Sequence, residues 1–499
     1  MSAPLSPSGD PSATGREASW PLIALIATML VARLIAAGHV HLTEDEAYYR
    51  LWSMAPALGY YDHPPMIAWW IWLGRHIAGD SALGVRLLPI LASAATCFLV
   101  FDLARLVGAD RTTAVRAGIW FNAMLLVAAG GFLAVPDAPA SLFWTATLAF
   151  VLRAARGGSW RWWAAAGLTA GLAALSKYST LFLAPGVLLW LAVTPSGRGR
   201  LRSPGPWLAC LIAVGVFSLN VLWNANHQWL TFHKQFGRIA VHSFEPRYLI
   251  ELIAGQAVLL NPVIAIFLAA AVVKPAGADE RSVKLSPLIA VSAPFALYLL
   301  IHSLHDRVQA HWPAPIYPAL AVIAAVTAER LIERPVWRRL AFAAPIFGLT
   351  MGAIALIYIL IPARYLGGAS DVAAPVRGWS TFATDLDRLR GPSGAAWIGA
   401  ASYGVAAELA DEPQLKAPIT QLTERDRWTT LEPGGAPDFS KPGLVVDLPR
   451  RVTYSSLIRC FAEVEPLGYL SRGAPQGRQT AYAVFRVASS KRDIPRMGC

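Results

Sequence analysis

The chain has 499 residues, of which 55% are hydrophobic and only 15% are charged. Because a soluble domain carries roughly 25% charged residues, this composition excludes an ordinary soluble protein and indicates an integral membrane protein. The formal net charge of +12 does not indicate nucleic-acid binding. The Arg and Lys residues fall in short groups between apolar runs, as they do in the cytoplasmic loops of membrane proteins.

The chain begins with a Ser-, Pro- and Gly-rich segment, 1–18, which predicts a disordered cytoplasmic tail. The first apolar run lacks a clean small-residue cleavage site, so we expect it to remain in the membrane. The stretch 66–77 is too short to span and predicts an interfacial helix. A span needs about 20 mostly apolar residues. Eleven spans are predicted near 20–39, 82–101, 117–134, 138–153, 162–176, 179–194, 206–223, 249–273, 286–302, 312–328 and 340–361.

Basic residues occur in every second loop, and this alternation predicts the orientation of the chain. Cytoplasmic loops are enriched in Lys and Arg, so these loops and the N-terminus are expected inside, in a bacterial inner membrane. The other loops and the C-terminal region are then expected in the periplasm. The five groups are Arg105, Arg111 and Arg116; Arg153, Arg156 and Arg161; Arg198, Arg200 and Arg202; Lys274, Arg281 and Lys284; and Arg330, Arg334, Arg338 and Arg339.

The composition changes after about residue 362. Apolar runs shorten to strand length, as at 444–448 and 481–487, and Gly and Pro separate them. We therefore predict a transmembrane domain over 19–362 and a small periplasmic α/β domain over 363–499. Cys460 and Cys499 lie in this second domain, where a disulfide and two free thiols are both open.

The loops on the predicted periplasmic side hold acidic, basic and aromatic residues together. Ionisable residues beside a membrane span are costly, and their default interpretation is a functional site. Asp45 and Glu46 can act as catalytic carboxylates or cap the helix that starts near them. Asp62 and His63 precede two prolines that hold the turn in place, and they can bind a divalent cation or a phosphate. The alternative is an ordinary polar turn.

Further candidates are weaker individually. Asp137 suits a helix cap, and Lys177 either snorkels to the interface or contacts a phosphate. Lys234 and Arg238 are four residues apart, on one face of a helix if that loop is helical, where they hold a phosphate or merely flank the membrane. Single interfacial histidines are usually satisfied polar residues rather than ligands. The single histidines of the predicted periplasmic loops are His233, His305 and His311.

Five motifs, in this order, resemble the bacterial branch of the protein O-mannosyltransferase and aminoarabinose transferase-like membrane glycosyltransferases. The resemblance covers roughly residues 20–330, and the C-terminal domain matches nothing in that pattern. The motifs are Asp45-Glu46-Ala47-Tyr48-Tyr49, Gly59-Tyr60-Tyr61-Asp62-His63-Pro64-Pro65, Pro136-Asp137-Ala138-Pro139, Ser176-Lys177-Tyr178 and His311-Trp312-Pro313-Ala314-Pro315.

The resemblance implies the GT-C fold, with two interfacial helices in the first outer loop and an outer catalytic cavity. It implies transfer of a sugar from a polyprenyl-phosphate carrier to a glycolipid, glycan or protein. Our hypothesis for the mechanism is a single displacement with inversion at the anomeric carbon. The family's first-loop aspartate corresponds to Asp45, with Glu46 as its neighbour, and His63 stands where the family has a lysine. The expected phosphate contacts are Lys177, Arg238, His63 and Tyr61. Asp137, Tyr178, His233 and His311 are expected nearby.

The sequence does not establish a cofactor, and a divalent cation at Asp62 and His63 is the candidate that it offers. The competing class is a polytopic transporter or lipid flippase, which places ionisable residues near the middle of its spans, often at broken helices. Here they cluster at one surface, which favours the enzyme. Membrane lipids are the remaining expected partner.

Overall fold

The structure is a computed structural model that describes residues 19–237, 244–273, 283–362, 371–428, 431, 435–473, 479–494 and 498–499. The tail predicted at 1–18 lies outside this range. Most of the described chain is helical, as its apolar runs require. The helices of the first part are α1 Trp20–His39, α2 Glu44–Met54, α3 Met66–Ala78, α4 Ala82–Leu106, α5 Arg111–Ala123, α6 Leu125–Gly130, α7 Asp137–Gly157, α8 Trp160–Ala174, α9 Leu183–Val193, α10 Pro195–Leu201, α11 Pro204–Asn226, α12 Leu230–Phe236, α13 Arg247–Leu259, α14 Pro262–Val273, α15 Ser286–His302, α16 Tyr317–Leu331 and α17 Pro335–Leu360. Short 3₁₀ turns precede α9 (Tyr178–Phe182) and α16 (Ala314–Ile316).

Within the described residues, six helices are long and apolar enough to cross a membrane, and two bent helix pairs raise the number to eight at most. The predicted spans all lie on helices, so the polytopic helical fold is confirmed. The first outer loop contains α2 and α3, the two helices expected there. Two predicted spans, 117–134 and 249–273, are nevertheless wrong as single helices.

The break in the first of these two segments lies at Met124, which has extended backbone between α5 and α6. In the second, Asn261 has φ of 74°, and Pro262 cannot continue the helical hydrogen bonding of α13, so the chain turns by 114°. Asn261 also donates from Nδ2 to the carbonyl of Ala123, 3.2 Å away, at the end of α5. The side chain at the second break thus donates to a backbone carbonyl at the first break, where the helix ends.

The basic and the mixed-charge residues lie at opposite ends of the same helices. In α7, Asp137 is the first residue, and Arg156 is in the last turn, about 30 Å away at 1.5 Å per residue. Helix α8 returns from Arg161 towards Lys177, and α16 runs from the His311 end towards Arg330. The alternation of loops predicted from basic residues is therefore present in three dimensions.

The C-terminal part contains a five-stranded mixed sheet in the order β2-β1-β3-β5-β4. The first three of these are parallel neighbours, while β5 pairs antiparallel with both β3 and β4. This is the α/β domain predicted from the strand-length runs. Its elements are α18 Trp379–Ser393, β1 Trp397–Ala400, α19 Tyr403–Asp411, β2 Ile419–Gln421, α20 Arg425–Trp428, β3 Gly443–Asp447, α21 Tyr454–Leu457, β4 Phe461–Arg472 and β5 Thr480–Ser490. Cys460 and Cys499 form a disulfide.

The sheet domain shares a hydrophobic core with the first outer loop. Tyr48 and Trp52 of α2 belong to the same buried cluster as Val405 of α19 and Trp428 of α20. The approach is close, because a Cβ added at Gly404 would collide with the Glu44 carboxylate. This shared core holds α19 and α20 over the end of the helix bundle where the acidic loops meet.

Candidate active site

A cavity of about 860 Å³ lies between the membrane helices, the first outer loop and the sheet domain. Acidic, basic and aromatic side chains line one part of it and apolar side chains another. The polar and charged lining residues include Asp45, Tyr48, Tyr49, Asp62, His63, Asp137, Lys177, Tyr178, Gln235, His302, Asp306, Arg307, His311, Trp312, Tyr403 and Arg427. Candidates from four separate loops of the sequence therefore meet in one place.

Helix α2 begins with a capping box that separates its two neighbouring carboxylates. Thr43 Oγ1 accepts from the Glu46 backbone N–H, and Glu46 Oε2 accepts from the Thr43 N–H. The Glu46 side chain is fully buried and pairs with Arg86, at 2.6 Å between Oε2 and Nη2. Burial raises the pKa of Glu46, but the attraction of Arg86 outweighs it and the net shift is downward. Glu46 therefore forms a structural ion pair with Arg86 and does not line the cavity. This placement is contrary to the catalytic role expected for it.

Asp45, one residue earlier, faces the cavity instead. Its Oδ1 accepts a hydrogen bond of 2.8 Å from the Tyr403 hydroxyl of the sheet domain. It forms no ion pair with any described residue. Burial, with Asp45 as the next contribution, raises the pKa of Tyr403, so the phenol stays protonated and donates. Asp45 is thus held in position by a neutral group that leaves its second oxygen available.

Asp62 lies on the turn between α2 and α3, and backbone contacts hold this turn in place. A Cβ added at Gly59 would lie 2.5 Å from the Trp223 ring, so only glycine fits against α11. Side-chain donors of α11 and α12 occupy three carbonyls of the turn. The donors are Asn220 to Leu58 O, Thr231 to Tyr60 O and Gln235 to Asp62 O.

The Asp62 carboxylate is shared between the first loop and the sheet domain. Its Oδ2 accepts from the Tyr48 hydroxyl at 3.1 Å, and its Oδ1 lies 3.1 Å from Arg427 Nη2. Burial works against the charge of Arg427, but Asp62, Tyr48 and Glu424 outweigh it and raise the pKa of the guanidinium. This ion pair closes the cavity on the domain side.

A second ion pair lies on the membrane-helix side. Lys177 Nζ is 2.6 Å from Asp137 Oδ1, and both residues are less than 10% exposed. His311 Nε2 is 3.6 Å from Asp137 Oδ2, and Lys177 lies 6.0 Å from the centre of the Trp312 ring. Desolvation lowers the pKa of His311 although Asp137 opposes this shift. Asp137, predicted as a cap or a site residue, therefore binds Lys177 from the start of α7.

Apolar side chains form the wall next to this pair. They come from the 3₁₀ turn and α9, and from α15 on the opposite side. The residues are Leu181, Phe182, Pro185, Phe295 and Tyr298. A cavity with ionic groups at one end and an apolar wall beside the membrane helices suits an amphipathic ligand.

The other predicted residues differ in where they lie relative to the cavity. His63 and Tyr178 line the cavity, and the Tyr178 hydroxyl donates to Asn220 at 2.7 Å. Tyr61 lies beside it, with its ring 5.2 Å from Lys234 Nζ. His233 is exposed and is not a lining residue. Arg238 lies outside the described residues.

The cation considered for Asp62 and His63 has little support in the geometry. Among the described residues, no group of three or more His, Cys, Asp or Glu side chains is placed to hold a metal ion. Arg427 already occupies one oxygen of Asp62, so a cation would have to displace it.

Tyr403 and Arg427 are cavity residues that no sequence motif indicated. They lie in the C-terminal domain, more than 330 residues after Asp45 and Asp62. The sequence around each of them contains no motif that sets it apart from the rest of the domain. No spacing rule connects positions so far apart, and only the packing of α19 and α20 on α2 brings them in.

Residues 62–223 match the family described as dolichyl-phosphate-mannose-protein mannosyltransferase. The lipid A galacturonosyltransferase RgtD of Rhizobium johnstonii is 29% identical over 290 residues, which is 56% of this chain and 59% of that protein. The undecaprenyl phosphate-alpha-4-amino-4-deoxy-L-arabinose arabinosyl transferase of Pseudomonas paraeruginosa is 28% identical over 193 residues, 35% of this chain and 33% of that protein. The matched region thus spans from one third to about three fifths of these relatives.

The structure of ArnT from Cupriavidus metallidurans bound to undecaprenyl phosphate superposes with a TM-score of 0.61, at 18% identity, over 94% of this chain and 98% of that one. The chain has the GT-C fold of membrane glycosyltransferases. The resemblance inferred from the five motifs is confirmed. The likeness also extends to the C-terminal domain, for which the motifs offered no counterpart, because it covers nearly the whole GT-C chain.

Proposed function

We propose that this protein is a membrane glycosyltransferase that moves a sugar from a polyprenyl-phosphate carrier to an envelope glycolipid such as lipid A. The two relatives named above are a lipid A galacturonosyltransferase and an undecaprenyl phosphate-aminoarabinose arabinosyl transferase. A glycan or protein acceptor is the alternative within the same reaction class.

The observation that carries the proposal is the arrangement around Asp45. This carboxylate faces a cavity that holds the Lys177 ammonium and an apolar wall along the membrane helices. A polyprenyl-phosphate sugar has three corresponding parts: a lipid for the wall, a phosphate for a cation, and an anomeric carbon to be attacked. The cavity therefore contains a base, an anion site and a lipid surface in one chamber.

In the proposed step, Asp45 takes the proton from an acceptor hydroxyl while the hydroxyl oxygen attacks the anomeric carbon. The new C–O bond forms on the face opposite the carrier phosphate, and the bond between carbon and phosphate oxygen breaks. The electron pair leaves with polyprenyl phosphate, so the anomeric configuration inverts. Lys177 stabilises the charge that develops on this phosphate, with His63 and Arg238 proposed as further contacts. Tyr61, expected with them, packs against Arg427 instead.

The cavity is proposed to face the periplasm. Basic residues occupy the opposite end of the helices, and such residues are enriched on the cytoplasmic side. The ionisable lining residues lie at the ends of helices rather than in the middle of spans. This placement favours a surface enzyme over a transporter with a site at the bilayer midplane.

The test is transfer by purified Asp45→Asn protein, with radiolabelled polyprenyl-phosphate sugar and lipid A. We expect transfer to fall to background, because an amide cannot take the proton. Asp385→Asn is the matched control and should keep wild-type activity. Asp385 is a partly exposed carboxylate of α18 that pairs with Arg388 and does not line the cavity. Wild-type turnover by Asp45→Asn would remove Asp45 from the mechanism. The divalent cation considered for Asp62 and His63 is tested in the same assay, since transfer that persists in excess chelator excludes it.

A further inference from the structure

We propose, resting on the proposed function, that Arg427 of the C-terminal domain binds an oxyanion of the substrates other than the carrier phosphate. Two sources have this chemistry: the carboxylate of a uronosyl donor sugar and a phosphate of the glycolipid acceptor. The domain would then select the substrate as well as cover the site.

The first argument is the incomplete hydrogen bonding of a buried guanidinium. Arg427 is only 6% exposed, yet it lines the cavity. Nη2 is within 3.1 Å of Asp62 and 3.3 Å of Glu424, whereas Nε has no hydrogen-bond partner among the described residues. Nε is itself fully buried, but a guanidinium has five N–H donors and the two ion pairs use only Nη2. The donors of Nη1 therefore remain for a ligand in the cavity.

The second argument is the rigid support of the guanidinium plane. Its carbon Cζ lies 4.3 Å from the centre of the Tyr403 ring, 5.4 Å from that of Tyr61 and 5.9 Å from that of Tyr48. Aromatic faces attract a guanidinium and fix its orientation. A planar fork held in this way matches the two oxygens of a carboxylate or a phosphate.

The third argument is the local charge. Glu424 also pairs with Lys234, at 3.0 Å, so its charge is shared between two cations. The formal charges of this group sum to zero, since it contains two acids, Asp62 and Glu424, and two bases, Arg427 and Lys234. An incoming oxyanion therefore meets a cation that is already partnered but not surrounded by excess negative charge.

The fourth argument is position. Tyr403 connects the two sites, because its hydroxyl binds Asp45 and its ring supports Arg427. Lys177, in contrast, adjoins Phe182 and the rest of the apolar wall that suits the carrier lipid. Arg427 thus belongs to the side of the cavity where the sugar and the acceptor meet, and Lys177 to the side of the carrier phosphate.

The experiment measures kcat and KM for the full-length protein in nanodiscs with paired substrates. Donors carry either a uronic acid or the corresponding neutral hexose, and the lipid A acceptors are phosphorylated or dephosphorylated. The variants are Arg427→Gln and Arg427→Lys, and the control is Arg388→Gln on the exposed face of α18. Arg427→Lys keeps the charge next to Asp62, so it tests the fork in a protein whose domain contact is retained.

We expect Arg427→Gln to raise KM by about tenfold or more for the substrate that carries the anion, with little change for its neutral counterpart. Arg427→Lys should be intermediate. A loss confined to uronosyl donors assigns the sugar carboxylate, and a loss confined to phosphorylated acceptors assigns the acceptor phosphate.

Losses of equal size for charged and neutral substrates would overturn the inference and make Arg427 a structural tie between domain and loop. Unchanged kinetics in both variants would overturn it as well. If the wild type transfers none of the sugars, the proposed function itself fails, and this inference with it. If the wild type transfers sugar and Arg427→Gln affects charged and neutral substrates equally, this inference alone is wrong and the proposed function stands.

Discussion

Each of two walls of the cavity holds one buried ion pair, but the chain builds the two pairs differently. On the membrane-helix wall, Asp137 and Lys177 lie at the adjacent ends of two consecutive antiparallel helices. On the domain wall, Asp62 of the first loop meets Arg427 from near the end of the chain. The first pair follows from local topology, whereas the second requires a whole domain to be docked correctly. The proposed carrier site thus lies on the wall that adjacent helices form, and the proposed Arg427 site lies on the wall that domain docking forms.

The largest expected effect is on the membrane-helix wall. Lys177→Ala should reduce kcat by roughly 10²–10³, as is typical when a charge-stabilising contact in an active site is removed. Lys177→Arg should retain part of the activity, since it restores a cation next to Asp137. The measurement is steady-state transfer with saturating donor, on protein whose elution profile matches that of the wild type.

Lys441→Ala, at an exposed lysine of the sheet domain, is the control for general effects of losing a positive charge. If Lys177→Ala turns over within a few-fold of wild type, the carrier phosphate is not bound on this wall, and the assignment of the two walls is broken.

A smaller effect is expected on the domain wall. Tyr403→Phe removes the hydrogen bond to Asp45 but keeps the ring beneath Arg427. A hydrogen bond to a charged group contributes about 1.5–3 kcal/mol, so kcat should fall by about tenfold or somewhat more, with KM nearly unchanged. Tyr469→Phe, an exposed position on β4, should behave as wild type. An effect on KM alone would show that Tyr403 binds substrate rather than orients Asp45.

The smallest effect concerns how pH changes the docking of the domain. His41, after α1, faces Glu408 and Glu412 of the domain at 3.3 and 3.1 Å. Burial lowers the pKa of His41, but the hydrogen bond to Glu412 and other carboxylates outweigh it, so the net shift is upward. Burial and neighbouring acids raise the pKa of Glu408 well above its usual value. Burial also raises the pKa of Glu44 and Asp411, despite the Arg50 partner of Asp411.

All four of these raised groups change stability in the same direction. A raised folded-state pKa gives stability that is present below the unfolded pKa and is lost as pH rises through the folded value. Glu412 has a lowered pKa and loses its contribution only as pH falls below its unfolded value near 4.5. The three carboxyl groups begin to lose this stability above their ordinary pKa values of 3.8 to 4.5, and His41 above 6.5. The unfolding midpoint should therefore decrease by a few degrees as the pH rises from about 5 to 8.

Thermal unfolding of the detergent-solubilised protein across this range measures the effect. Glu408→Gln should flatten the dependence, since it removes one of the titrating groups, and the exposed Glu463→Gln should not. A midpoint that rises with pH, or an identical slope in Glu408→Gln, would show that this cluster does not control docking.

The sequence by itself determined the polytopic helical fold, the distribution of charge between the two ends of the bundle, and most residues of the first wall. These features depend on composition and on short motifs, because a span, a basic loop or a capped acidic turn is encoded within about 20 residues. Even the position of Asp45 beside the site followed from its motif.

Only the tertiary structure decided the different roles of Asp45 and Glu46, which the motif presents as equals. Their separation depends on Arg86, which enters from another helix and neutralises Glu46 in the interior. The same is true of Tyr403 and Arg427, and of the two broken spans, where Asn261 supplies a hydrogen bond across the bundle. Burial and ion pairing are made by residues distant in the chain, so a local pattern carries no information about which partner arrives.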